Sequence, residues 1–242
     1  MKQSHIFKNE KRRALTKAEQ ELLLDFLKRN HTYSHWYPII AVMIGTGLRV
    51  GEVVGLRWCD IDLEDGMIDV NHTLVYYNHQ VNGCYFNIHT PKTKAGERKV
   101  PMLDFVKEAF EEERTYQEAM NIQCKAVVDG YTDFIFLNRF GNVFIQPDLD
   151  RALGRIIDAY NNTELHNAAL KKREAMLLPN FTCHSLRHTF CARFCELESN
   201  LKVIQSVKGH VDIGTTMNIY AEVSEARKKQ SMEALSEKMV LF

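Results

Sequence analysis

Gly209-His210-Val211-Asp212-Ile213-Gly214-Thr215-Thr216-Met217-Asn218-Ile219-Tyr220 closes an ordered series of motifs in this chain. Upstream stands Thr182-Cys183-His184-Ser185-Leu186-Arg187-His188, and far upstream Thr46-Gly47-Leu48-Arg49-Val50-Gly51-Glu52. In chain order these supply an arginine, a His-x-x-Arg pair, a Gly-His pair and a tyrosine. Two arginines can grip an anionic phosphate, because the guanidinium is always charged and donates two hydrogen bonds at once. A tyrosine can then attack the phosphorus. With a pKa of about 10 it is mostly protonated at neutral pH, so it needs a nearby base or a strongly positive site. Each member alone has a plainer reading: a surface salt bridge for Arg49 or Arg187, a packed histidine for His210, a packing residue for Tyr220. The ordered set is far more specific than any one of them.

The local pattern supports this arrangement. His184 and Arg187 share one face of a helix that Thr182 can cap, and a helix N-terminus favours an anion. A competing reading joins His184, His188, Cys191 and Cys195 into a zinc site, since histidines four apart can ligate metal. Against it, Arg187 would stand beside the cation, and Phe190 and Phe194 mark a buried helix with packed thiols.

Outward from these motifs the chain alternates helical and extended signals. Thr16-Lys17-Ala18-Glu19 is a capping box, predicting a helix to about Asn30 with an apolar stripe of Leu22, Leu23, Phe26 and Leu27. A second helix is expected from Trp36 to Ile44, broken by Gly45 and Gly47, and a short one from Arg49 through Leu56. Met67 to Val70 with His72 to Tyr77, Cys84 to Thr90, and Arg98 to Pro101 read as three antiparallel strands, with turns at Asn78 to Gly83 and Lys94 to Glu97. From Leu103 onward the chain reads as mostly helical, with one helix opening at Gln146-Pro147-Asp148. Asn161 to Leu178 is polar and reads as an insertion or mobile loop. Further helices are expected at Cys183 to Glu196, Leu201 to Val207, Gly214 to Tyr220 and Ser224 to Met239. The fold class is therefore α+β, mainly α, in one domain.

Composition sets bounds on partners. The 242 residues, 45% of them hydrophobic, can bury a sizeable core. Lys+Arg and Asp+Glu both number 31, which argues weakly against a dedicated basic DNA-binding module. Distribution outweighs the sum. Basic clusters stand at Lys11-Arg12-Arg13, Lys92 to Lys99, Lys171-Lys172-Arg173 and Arg227-Lys228-Lys229, while acid gathers at Glu111-Glu112-Glu113. Each cluster reads either as a solvated face or as part of one basic face holding DNA, with acidic faces turned away. The N-terminus lacks a secretory apolar region, and the apolar stretch from Trp36 to Leu48 is too short to span a bilayer. No membrane association is expected. Cys59, Cys84, Cys124, Cys183, Cys191 and Cys195 form no Cys-x-x-Cys pair and read as reduced, buried thiols in a cytoplasm.

The ordered set resembles the catalytic domain of the tyrosine recombinases, the phage-integrase family. The resemblance runs from about Leu15 to Ala234 and is weakest from about Ala119 to Pro179. The Tyr220 motif and the Lys92 turn look most like integrases of conjugative transposons and related phages. The resemblance implies the family's catalytic fold, with a small antiparallel three-stranded sheet among helices. It also implies cleavage and rejoining of DNA through a 3'-phosphotyrosyl link, for excision and integration of a mobile element, with no metal, ATP or other cofactor. Matched onto this sequence, the catalytic set is Arg49, Lys92, His184, Arg187, His210 and Tyr220. Lys92 would protonate the leaving 5'-oxygen, with Lys94 as the alternative, and His210 would donate to the phosphate. Glu52 would hold the catalytic groups in place. Arg12, Arg13, Lys94 and Arg98 are expected on DNA.

The resemblance further implies double-stranded DNA as partner, a homotetramer on two DNA sites, an accessory directionality factor and a bacterial cytoplasmic setting. Residues 1–242 are then one catalytic domain. Residues 1–14 form a basic linker from an N-terminal DNA-binding domain not in this sequence, and 223–242 a helix that packs on a neighbouring protomer or on its own domain. A type IB topoisomerase would share the chemistry, but Gly209-His210 and the ending argue against it. A non-catalytic DNA-binding or assembly module is disfavoured by the complete set of catalytic residue types.

Overall fold

Thr16 starts the first helix, α1 (Lys17–Arg29), as its sequence predicts. Its hydroxyl accepts from the Glu19 amide at 3.2 Å, and the Glu19 carboxylate accepts from the Thr16 amide at 2.8 Å. The structure, a computed structural model, describes residues 13–79, 83–91, 97–198, 200, 202–204 and 232. Leu23 and Leu27 of α1 are fully buried. Just before the helix, Leu15 is buried as well. Its amide donates to Thr189 Oγ1 at 2.9 Å, and its carbonyl accepts from Arg193 Nη2 at 2.9 Å.

Helix α2 (Tyr37–Thr46) is buried along its whole length and forms the centre of the fold. It packs on α4 (Asp104–Ala119) and α6 (Cys183–Leu197). The predicted break at Gly45 does not occur. Gly45 stays helical because its bare Cα lets α4 approach: a Cβ there would stand 2.3 Å from Val106 Cγ2. The helix ends instead at Gly47, whose φ of +62° is left-handed, with its amide on Met43 O at 3.1 Å. Helix α3 (Val50–Gly55) follows at once.

The strands divide differently from the expected three. β1 (Ile61–Asp62), β2 (Met67–Val70) and β5 (Arg98–Pro101) make an antiparallel sheet in the order β1-β2-β5, with Ile68 opposite both Ile61 and Val100. β3 (Thr73–His79) and β4 (Gly83–His89) form a separate two-stranded hairpin. The single strand predicted from Met67 to Tyr77 is cut at Asn71-His72. There the buried His72 ring turns inward, with Nε2 2.6 Å from Gly55 O and Nδ1 on Asn71 Oδ1. The hairpin leans on α3 through glycine: a Cβ on Gly51 would lie 2.7 Å from Leu74 O.

After α4 the chain is irregular from 120 to 145. It is held by the buried run Phe134 to Leu137, where the Ile135 amide donates to Leu56 O at 2.8 Å. Helix α5 (Gln146–Leu170) then runs unbroken through the first part of the region read as an insertion or loop, while 171–178 is non-helical as read. Leu149, Leu153, Ile156, Ile157, Tyr160, Glu164 and Ala168 keep one buried stripe at helical spacing. Its polar member, Glu164, accepts from Arg173 Nη2 at 2.9 Å and from the Met176 amide at 2.9 Å. The Lys171-Lys172-Arg173 run is thus partly neutralised within the fold. Likewise Glu111-Glu112-Glu113 is not one solvated face: Glu111 and Glu112 are exposed, but Glu113 is buried.

All six cysteines are free thiols. Cys183, Cys191 and Cys195 are buried as expected, whereas Cys59 and Cys84 are exposed and Cys124 is half-buried. No described helix is long and apolar enough to cross a membrane.

Candidate active site

Arg49 sits at the N-cap of α3, on the turn that Gly47 allows. Glu52, one turn on and buried, fixes it twice. One carboxylate oxygen accepts from the Arg49 amide at 2.8 Å, and the other from Arg49 Nη1 at 3.0 Å. The Arg49 side chain is 46% exposed. Arg187 comes from the first turns of α6 and is buried, with Nη1 donating to the Gly47 carbonyl. The two arginines therefore take their positions from one short stretch of chain, 47–49.

His184, the second residue of α6, is exposed beside them. Its ring lies edge-on to that of His188, with centroids 4.6 Å apart. Asp150 of α5 accepts from the Cys183 amide at 2.9 Å and so orients the start of α6. Arg49, His184 and Arg187 line one cleft of about 980 Å³, walled by Leu74 and Phe86 of the hairpin and by Ile145 and Pro147 at the start of α5. Among the described residues, no group of three or more His, Cys, Asp or Glu side chains could hold a metal ion.

Electrostatics follow burial. Desolvation pulls the Arg187 pKa below its ordinary value, partly offset by Cys191, while Arg49 lowers it further. Arginine remains charged over any working pH, so the cleft floor is cationic. Burial alone would raise the Glu52 carboxyl. Arg98 and then Arg49 outweigh it and hold the group below the usual carboxylate value, as an anion.

Arg49, His184, Arg187 and Glu52 are thus brought together as the motifs predict. Lys92, Lys94, His210, Tyr220 and Arg12 lie outside the described residues, as do most of the helices expected after residue 200 and the 223–242 segment. Arg13 pairs with the N-terminus of α1, where Nη2 and Nη1 meet the two Glu19 oxygens at 2.6 and 2.8 Å. Arg98 is half-buried with its side chain turned inward, Nη1 and Nη2 on the two Glu52 oxygens at 3.1 and 2.9 Å. Arg98 is thus not an open surface cation, whereas Arg13 keeps an exposed side chain beside its carboxylate partner. Asp150 and the Gly47 carbonyl were not legible from the sequence. An acid within a helix and a backbone oxygen carry no local signal of the partner they will meet.

Comparison with known proteins agrees with this geometry. Residues 13–227 match the model of the phage integrase family. The transposase from transposon Tn916 of Enterococcus faecalis is 35% identical over 222 residues, covering 92% of this chain and 51% of the relative. A XerC-like tyrosine recombinase of Caldanaerobacter subterraneus is 28% identical over 205 residues, covering 82% and 48%. The Tn1549 transposon integrase, solved in complex with circular intermediate DNA, superposes with a TM-score of 0.74 at 32% identity, covering 92% of this chain and 68% of that one. The chain spans about half the length of the curated relatives it matches. With two arginines and a histidine converging in one cleft, and a family match from residue 13 to 227, the chain belongs to the phage integrase family, the tyrosine recombinases.

Proposed function

We propose that this chain is the catalytic part of a site-specific DNA recombinase that excises and integrates a mobile element. The observation that carries the reading is the convergence of Arg49, Arg187 and His184 on one cationic cleft. In the proposed reaction the phosphate sits between Arg49 and Arg187. Tyr220 Oη attacks phosphorus and passes its proton to His184. The bond from phosphorus to the 5'-oxygen breaks, and Lys92, or Lys94 in its place, protonates that oxygen. His210 donates to a non-bridging oxygen. Charge that grows on the phosphate is met by fixed cationic donors, the largest stabilising effect available to such a site. The phosphotyrosyl link keeps the bond energy, so rejoining is the reverse step and requires no ATP.

Double-stranded DNA is the proposed substrate, with Arg12 and Lys94 as further contacts. Support comes from the Tn1549 integrase, whose structures hold transposon DNA. Assembly of four protomers on two sites, a directionality factor, cis or trans docking of 223–242 and a bacterial cytoplasmic setting belong to the same proposal.

The test is covalent capture. The protein is mixed with nicked duplexes carrying a randomised core, in EDTA, and DNA that survives denaturation on the protein is recovered and sequenced. A captured sequence that wild type links and Tyr220→Phe does not is the expected result, with Arg187→Ala at least about 100-fold slower. No adduct on any duplex, or one that persists in Tyr220→Phe, would sink the reading.

A further inference from the structure

Arg98 stands at the first position of β5, directly after the segment that carries Lys92 and Lys94. Its place in the sequence suggests a DNA contact, but its side chain is only 7% exposed. Both of its terminal nitrogens meet Glu52, and the same two carboxylate oxygens serve Arg49. Oε1 accepts from Arg98 Nη1 and Arg49 Nη1, and Oε2 from Arg98 Nη2 and the Arg49 amide. Glu52 is itself 5% exposed. Charge counting gives the consequence. Arg49 paired with Glu52 alone would be neutral, and the phosphate would face an arginine whose field its own carboxylate cancels. With Arg98 added, the group keeps one net positive charge, and the exposed member carrying it is Arg49.

We infer that Arg98 is a positioning residue for DNA cleavage: through Glu52 it keeps Arg49 in place and electrostatically available to the scissile phosphate, without touching DNA. The inference rests on the proposed recombinase reading. It also gives Arg98 a mechanical part, because the bidentate pair fixes β5 to α3. An arginine fork suits this task, whereas a lysine would restore the charge but only one direction of donation.

The experiment uses the captured DNA sequence and measures two quantities for each variant. These are the single-turnover rate of adduct formation at saturating protein, and the slope of log Kd against log salt. Arg98→Gln is expected to cleave about 10- to 100-fold more slowly, with the salt slope unchanged. Arg98→Lys should fall between it and wild type. Combining Arg98→Gln with Glu52→Gln removes the uncompensated carboxylate and should cleave faster than Arg98→Gln alone. A purely structural loss would not produce that reversal. The inference is overturned if Arg98→Gln cleaves at the wild-type rate, if the double variant is slower by the product of the single effects, or if the salt slope falls by about one unit, as for a lost phosphate contact. If Arg98→Gln does not fold, Arg98→Lys decides, by a slower rate at an unchanged slope or by its absence. A wild-type protein that forms no adduct would instead overturn the recombinase reading, and this inference with it. A wild-type adduct that is lost in Tyr220→Phe but unaffected at Arg98 overturns this inference alone.

Discussion

Gly47 shows how much one residue can decide in this site. Its φ of +62° lies where a Cβ is strained, and its carbonyl holds Arg187. A Cβ would also stand 2.2 Å from Phe190 Cδ1, on the helix that supplies His184. Gly47→Ala therefore adds left-handed strain to overpacking against a ring. A loss of about 2–4 kcal/mol is expected in urea unfolding, with cleavage reduced because the Gly47 oxygen moves. A loss under about 1 kcal/mol would show that Phe190 can swing aside. The residue types of the site were legible in the motifs, since arginine and histidine at those spacings have few other uses together. The condition of each charge was not. Arg98 and Arg49 look alike in sequence, yet one turns inward onto a carboxylate 46 positions away and the other opens to the cleft.

Among the elements, α4 carries the clearest titration. Glu113 is buried, and Gln117 Nε2 donates both to it, at 2.7 Å, and to the Ile135 carbonyl of the irregular 120–145 segment. Burial raises the carboxyl from its ordinary 4.5 to about 7, against the opposing hydrogen bond from Gln117. The native state then holds a proton that the unfolded chain releases between pH 4.5 and about 7. Stability should fall across that window and stay lower above it, by on the order of 3 kcal/mol. Glu113→Gln keeps the acceptor for Gln117 and removes the penalty, so it should gain stability at pH 8 and little at pH 4.5. Equal pH slopes for variant and wild type, read by urea unfolding, would contradict this. The sequence held a signal here: Val106, Ala109, Phe110, Glu113 and Gln117 fall on one helical stripe, which a reading of three glutamates as a charge run passes over. The same phase would have carried α5 through Asn161, because Asn162, Thr163, His166 and Asn167 lie on its exposed faces and Glu164 keeps the stripe. The cut in the predicted long strand had no such signal, since it depends on His72 finding Gly55.

At the scale of the whole molecule, the α+β class and the single buried core were legible from helical spacing and motif order. Pairings across long separations were not, because they are settled only when the chain closes in space. The contact between Leu15 and Thr189 of α6 is one of these. Thr189 Oγ1 accepts from the Leu15 amide while donating to Ser185 O at 2.8 Å. Thr189→Val leaves the Leu15 amide buried without that acceptor, and about 1–2 kcal/mol should be lost. Hydrogen exchange at the Leu15 amide should quicken in step. Unchanged protection would mean that this contact contributes nothing to holding the segment down.

That contact also makes the molecule directional under load. Tension applied to the chain ahead of Arg13 would reach α6 through the bonds at Thr189 and Arg193. Thr189 lies two residues from Arg187 and five from His184. A pull from that end is therefore shared between α1 and α6, so the segment ahead of α1 works as a lever on the helix that carries His184 and Arg187.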